Sequence, residues 1–554
     1  MMDRDAVHSD PRQRLQAHTE TKAMSKHPLA LGALLAVIYA HTAFAQKTTA
    51  VADGEALQGV ALPGSVSVFR GVPYAQAPVG DLRWRPPLRR PNGSGVRQAR
   101  QFSASCMQTD RLITWSRNIA EQLGTLDRFN DTPPVVSEDC LYLNVWSANV
   151  GGRNPLPVMV WIHGGSNQNG EGHSPWYDGV ALAKRGVVVV TINYRLGVFG
   201  FLAHPALTAE SPEHSSGNYG LLDQVEALRW VQRNIAAFGG DSSRVTVFGE
   251  SAGSIDIMHL MAAPAAKGLF HRAIAESGAP MAAMAPLRQA ELVGANILKS
   301  LVTDSANPTA SLRAASASAV LDAGVRSGAA LGTLNPIVDG WVLPDVTARV
   351  FEAGRQHAVA LIAGTNALEM STLTAYMPRF EQTPEAYKNF VGLLLGPAAQ
   401  PALRIYPASS PEHVTRQSLA LVTDVFMTCP TRIAARSTAA IGQPVYLYQF
   451  TRVLPGGEKL DAYHGMEITY VFGSRLPWMP HETIDDKLSG AMIGYWTRFA
   501  ATGDPNGAGA VVWPRYGAAA RHLEFGDVVK VSQSLKREMC DAIEPRLRAT
   551  WSTQ

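Results

Sequence analysis

Charge, cysteine and long one-character runs are all scarce in this chain, and each shortage removes a class of protein. Charged residues make up 17% of 554, with a formal net charge of +3. There are no long basic runs, so nucleic acid has no electrostatic footprint to bind. No C-x-x-C occurs and no histidines cluster at ligand spacing, which argues against a zinc or other metal site. No internal repeat and no long low-complexity linker appear, so solenoid and beads-on-a-string architectures are not expected. What is abundant is apolar residues, at 46%. That is the balance of a globular chain with a large core.

The N-terminus reads as a targeting segment. Residues 1–23 are polar, and Met24 opens MSKHPLALGALLAVIYAHTAFAQ. Lys26 is the positive flank, 29–40 is the apolar core, and Ala43-Phe44-Ala45 offers small residues for cleavage. The core is too short to span a bilayer, so a secretory signal over 24–45, cleaved after Ala45, is expected within an N-terminal extension of 1–45. No cysteine follows at once to carry a lipid, so no stable membrane anchor is expected. The product would be exported, periplasmic or secreted, with 46–554 as a single domain. The oligomeric state is open, and a monomer is compatible with the sequence. Four cysteines, Cys106, Cys140, Cys429 and Cys540, suit export as two disulfides. They allow three pairings, of which sequence proximity favours 106–140 and 429–540.

Short apolar runs rich in β-branched residues recur: VMVWI (158–162), VVVVTI (187–192), RVTVF (244–248) and VALIAG (359–364). Such runs read as strands buried on both faces, hence a parallel sheet. Between two of them, 218–240 repeats Leu221, Val225, Leu228, Val231 and Ile235 at helical spacing before Gly239-Gly240. Strand, helix, strand is the unit of an α/β fold. The segment 305–319, SANPTASLRAASASA, is small and polar and reads as a surface segment.

RVTVFGESAGS places Ser251 between a buried strand and the apolar helix AGSIDIMHLMAA. That is the setting in which G-x-S-x-G presents a nucleophile in α/β-hydrolases, where an acid and then a histidine follow in the chain. Upstream, the strand 158–162 runs into His163-Gly164-Gly165-Ser166, where glycines let backbone N–H groups approach a carbonyl. With the N–H of Ala252 they would form an oxyanion hole. For the acid, Glu369 follows the strand at 359–364, and Asp339 competes. Its Asp-Gly pair is a turn signal, so Asp339 reads as structural. For the base, His413, His464, His481 and His522 are available; His464 beside Gly465 has a modest lead.

These residues resemble the type B carboxylesterases, the group of cholinesterases and bacterial para-nitrobenzyl esterases. The likeness rests on FRGVPYAQAP (69–78), SEDCLYLNVW (137–146), HGGS, NYRLGVFGFL (193–202), GNYGLLDQ, GGDSSRVTVFGESAGS, GTNALE, HGMEITYVFG, WTRFAATGDPN and WPRY (513–516), in that order. It covers essentially all of 50–550. The resemblance implies an α/β-hydrolase fold with a large mostly parallel central sheet flanked by helices, and cofactor-free hydrolysis of a small-molecule carboxylic ester. It implies a triad of Ser251, Glu369 and His464, and oxyanion donors at Gly165, Ser166 and Ala252. It implies the disulfides Cys106–Cys140 and Cys429–Cys540, an Arg70–Glu138 salt bridge, and Ser277 as support for the triad. One departure is Ser166, where the family usually has a third glycine; a serine disfavours positive φ.

Substrate choice is expected in the segment between Cys106 and Cys140, which overhangs the site in this family. Trp115, Gly164, Met281 and Met284 are candidate substrate contacts, with core packing the alternative for the methionines. Arg111, Arg117 and Arg128 read as a solvated loop, or as receptors for an acidic group on the ester. An amidase or carbamate hydrolase using the same triad, and a non-catalytic cholinesterase-like binding protein, are the alternative functions.

Overall fold

The computed structural model describes residues 46–327 and 333–552. The extension and signal expected over 1–45 lie outside the described residues. An eleven-stranded sheet organises the rest. Its strands are β1 (Val60–Leu62), β2 (Val66–Pro73), β3 (Tyr142–Ser147), β4 (Leu156–Ile162), β5 (Val188–Ile192), β6 (Gly240–Glu250), β7 (Arg272–Glu276), β8 (Ala360–Asn366), β9 (Val445–Phe450), β10 (Arg521–Phe525) and β11 (Val529–Gln533). Across the sheet they lie in the order β11-β10-β9-β8-β7-β6-β4-β5-β3-β2-β1. β4 to β10 are mutually parallel, and antiparallel strands flank them on both sides. This is the large, mostly parallel sheet of an α/β-hydrolase.

Side-chain alternation explains why the strands read as continuous apolar runs. In β4, Val158, Val160 and Ile162 enter one buried cluster while Met159 and Trp161 enter another. Both faces are therefore covered, as a parallel sheet requires. The helices that matter for the site are α1 (Arg111–Gln122), α2 (Tyr219–Asn234), α3 (Ala252–Ala262), α4 (Pro308–Ala314), α5 (Ala317–Arg326), α6 (Glu467–Phe472) and α7 (Thr483–Thr502). α2 supplies Leu221, Val225, Leu228 and Val231 to the first cluster. α7 supplies Met492, Trp496 and Phe499 to the second. α2 is buried on more than its apolar stripe. Its Asp223 is buried and binds Arg195 through both carboxylate oxygens, at 2.8 and 2.7 Å.

The segment 305–319 lies at the surface, as expected, and is helical there, forming α4 and the start of α5. The Asn307 side chain accepts from Ala310 N and that of Ser316 from Ala319 N, capping each helix. α4 buries Leu312, and α5 buries Val320, Ala323 and Gly324. Caps and these few anchors suffice where low apolar content hid the period. One expectation needs correction: the partner of Glu138 is Arg83 and not Arg70. Arg83 donates from Nε and Nη2 to the two carboxylate oxygens of Glu138, both at 2.6 Å. It also donates to the carbonyls of Leu312 and Ala315 at the end of α4. Arg70, beside a register shift in β2, instead lies over the Phe102 ring at 4.8 Å.

Both disulfides, Cys106–Cys140 and Cys429–Cys540, are formed. Among the described residues no helix is long and apolar enough to cross a membrane. Arg83 is 5% exposed and fastens the foot of the 106–140 segment. Removing it strands a largely buried carboxylate, whereas Arg70 has no carboxylate partner among the described residues. Arg83→Leu is therefore expected to cost about 3–5 kcal/mol of stability, and Arg70→Leu about 1 kcal/mol or less. Denaturant titration of both variants checks the ranking.

Candidate active site

β6 ends at Glu250 and α3 begins at Ala252, leaving Ser251 alone in the turn with φ 56° and ψ −122°. A non-glycine residue held there costs roughly 1–3 kcal/mol. The backbone is pinned on both sides: Ser251 N donates to the Glu276 carbonyl at 2.9 Å, and Ile255 N donates to the Ser251 carbonyl at 3.0 Å. The flanking glycines are needed for proximity. A Cβ on Gly253 would lie 2.0 Å from the Ile162 carbonyl oxygen, and one on Gly249 would lie 2.5 Å from the same atom. The motif lets α3 settle directly on the end of β4.

The turn leaving β4 forms the facing wall. Gly165 has φ 104°, and Ser166 and Asn167 follow at 61° and 58°. Ser166 thus adopts the positive φ that serine disfavours, and its hydroxyl is hydrogen-bonded to that of Tyr376. Gln168 N and Asn169 N both donate to the Gly165 carbonyl, at 3.1 and 3.0 Å. Gly170 N donates to Gln108 Oε1 at 2.7 Å. The N–H groups of Gly165, Ser166 and Ala252 have no acceptor among the described residues. Free donors at the mouth of a turn and the start of a helix suit a developing negative charge.

His464 precedes α6 and is buried. Its Nδ1 lies 2.7 Å from Glu369 Oε2. Glu369 is itself fixed by Asn366 N, which donates to Oε1 at 2.7 Å. On the other side, His464 Nε2 lies 3.1 Å from Glu250 Oε1. Burial opposes the imidazolium, but Glu250 and then Glu369 outweigh it and raise the pKa to about 9. Burial pushes Glu250 up to about 8, with the His464 charge opposing and Glu467 and Glu369 reinforcing. Burial also lifts Glu467, to about 7. The Ser277 hydroxyl donates to Glu467 at 3.0 Å, so Ser277 touches the cluster through that carboxylate.

Ser251, His464, Gly164, Gly165, Ser166 and Trp115 all line one cavity of about 890 Å³. Met281 and Met284 do not. They are 1% and 7% exposed and pack in the hydrophobic cluster beneath the first sheet face. The core alternative therefore holds for them, and they are withdrawn as substrate contacts. Asp339 is a turn clasp, accepting from Ser215 Oγ, Trp341 N and Leu343 N. Of the three arginines, Arg111 lines the cavity, while Arg117 and Arg128 are exposed. Residues not singled out from sequence also face it: Glu250, Glu171, Tyr376 and Arg475. Burial raises Glu171 to about 7. Adjacency to Ser251 was the one available signal for Glu250.

With this geometry in hand, the chain can be set beside known proteins. The model of the carboxylesterase family matches residues 49–543. The chain is similar to fumonisin B1 esterase of Sphingopyxis macrogoltabida, 36% identical over 503 residues, covering 88% of this chain and 88% of that one. It is 34% identical to carboxylesterase 1C of Mus musculus over 507 residues, covering 87% and 88%. Among solved structures, a PNB esterase superposes with a TM-score of 0.77 at 32% identity, covering 90% of this chain and 99% of the other. The carboxylesterase EST55 of Geobacillus stearothermophilus does so at 0.76 and 32%, covering 91% and 100%.

The electrostatics of His464 can be tested without substrate. Glu250→Gln removes an anion beside Nε2, so the imidazolium loses stabilisation and its pKa falls from about 9. Titration of ring-labelled histidines by NMR is expected to show this one midpoint moving to lower pH in the variant.

Proposed function

Because the chain belongs to the carboxylesterase family, which makes it a serine carboxylesterase, we propose that Ser251, His464 and Glu369 carry the reaction as nucleophile, base and orienting acid. His464 takes the proton of Ser251 as Oγ attacks the ester carbonyl carbon. The carbonyl electron pair moves to oxygen, and the N–H groups of Gly165, Ser166 and Ala252 receive that oxyanion. Collapse expels the alcohol, which takes the proton from His464, and an acyl-Ser251 remains. Water, deprotonated by His464, attacks the acyl carbon, and the carboxylic acid leaves with Ser251 restored. Glu369 fixes the Nδ1–H tautomer and stabilises the imidazolium of each transfer.

The observation that supports this reading is the 2.7 Å bond from His464 Nδ1 to Glu369, with His464, Ser251, Gly165 and Ser166 lining one cavity. The cavity, at about 890 Å³, suits a small-molecule ester of drug size. Residues 46–554 would act as a single catalytic domain, without nucleic acid or a membrane anchor. Export is the compartment in which two disulfides persist. Arg111, the arginine of the 106–140 segment that lines the cavity, is the group best placed to receive an acidic substituent.

Ser251→Ala is expected to lower kcat on a p-nitrophenyl ester by about 10⁴-fold or more and to leave the melting curve essentially intact. A fluorophosphonate probe should label the wild type and not the variant. Undiminished hydrolysis by the folded variant overturns the assignment.

A further inference from the structure

Ser166 poses a local problem. It holds φ 61°, a conformation that glycine adopts freely and an L-residue disfavours. Something must offset that. Its hydroxyl is bonded to the hydroxyl of Tyr376. Tyr376 closes the short turn Thr374–Tyr376, soon after the turn Glu369–Ser371 that holds Glu369. Arg111 lies over the Tyr376 ring, its guanidinium carbon 5.6 Å from the centroid. Arg111 opens α1, and α1 is tied to the same segment a second time, since Trp115 Nε1 donates to the Thr372 carbonyl at 3.1 Å. Arg111, Ser166 and Tyr376 all line the cavity.

We infer that Tyr376 is a positioning residue: through the Ser166 hydroxyl it latches the 164–166 turn in the left-handed conformation that aims the Ser166 N–H at the oxyanion, with Arg111 steadying its ring. The inference rests on the oxyanion role proposed above for that turn. The latch runs from the segment after the orienting acid, across the cavity, to the turn after β4. A glycine at 166 would need no latch; a serine makes one possible and also requires it. The interaction counts most in the transition state, because only there does the oxygen carry the charge that the N–H receives.

The test is a double-mutant cycle on the full chain with p-nitrophenyl acetate, comparing wild type, Tyr376→Phe, Ser166→Gly and the double variant. Binding of a trifluoromethyl ketone, which forms a hemiketal oxyanion on Ser251, is measured in parallel. Tyr376→Phe is expected to lower kcat about 5- to 10-fold with KM changed less than about twofold, and to weaken the ketone in the same proportion. In the Ser166→Gly background the same change should cost no more than about 1.5-fold. Equal losses in both backgrounds, or a loss in KM alone, overturn the latch. Should Tyr376→Phe fail to fold, Ser166→Ala breaks the bond from the other end and must show the same kcat and ketone losses. A wild type that is inert to the ester and to fluorophosphonate overturns the hydrolase reading itself; an active wild type with additive losses overturns the latch alone.

Discussion

Backbone-on-backbone contact between the first turn of α3 and the last residue of β4 is the constraint from which the site follows. With no Cβ at Gly249 or Gly253, the Ile162 carbonyl and the start of α3 can touch. β4 and β6 are parallel neighbours, so their carboxyl ends open on the same side of the sheet. The close contact leaves Ser251 as the residue that must absorb the change of direction, which is why it carries a positive φ. It also brings the turn at 164–166 into the wall that Ser251 enters. Ser251 and the turn at 164–166 are thus not two independently placed features. They are the two sides of one close-packed junction, and a methyl group on Gly253 would force them apart.

A second constraint is electrostatic. Glu250, Glu276, Glu369 and Glu467 are all buried in the neighbourhood of one imidazole. Full ionisation of four carboxyls in so dry a region would be prohibitive. Two responses are visible. Some oxygens are paired with neutral donors: Trp496 Nε1 donates to Glu276 at 2.8 Å, and Ser277 Oγ to Glu467 at 3.0 Å. Burial also raises the pKa of Glu250 and of Glu467, while the charge of His464 opposes the rise at both. For His464 the consequence cuts both ways. A raised pKa makes the imidazole a stronger base toward a serine hydroxyl, but leaves less of it unprotonated at neutral pH. The carboxyl at Glu250 therefore trades the strength of the base against its availability.

How much of this could be read from the sequence depended on the range of the interaction. The parallel strands were legible because burial on two faces leaves a local mark, as in VVVTI of β5, where every residue is β-branched and buried. Ser251 and the 163–166 turn were legible because close approach demands glycines nearby in sequence. Glu369 and His464 were not separable from Asp339 and three other histidines by local physics; their juxtaposition is set by loops after β8 and β9, far apart in the chain. The mispaired Arg70 shows the same limit. Which arginine meets Glu138 depends on where α4 lies, because Arg83 is held as much by the carbonyls of Leu312 and Ala315 as by the carboxylate. Met281 and Met284 follow a strand that ends at the site, yet their side chains turn into the core, and nothing in GAPMAAMAP records that direction.

Division of labour between sheet and loops follows from these points. The residues that would perform acyl transfer sit on strand ends whose spacing the sheet enforces. The remaining walls of the cavity come from elsewhere: the segment closed by Cys106–Cys140, the stretch 372–376, and the turn near Arg475. These walls are not mechanically separate from the turn after β4. Gln108, two residues past Cys106, accepts from Gly170 N at 2.7 Å and returns a bond to the Gly170 carbonyl at 2.8 Å. Asn169 Nδ2 donates to the Thr109 carbonyl at 2.9 Å. A change in the 106–140 segment therefore pulls on the backbone of the turn after β4. If that turn receives the oxyanion as proposed, rate and selectivity cannot be tuned independently, because the cavity wall is stitched to it.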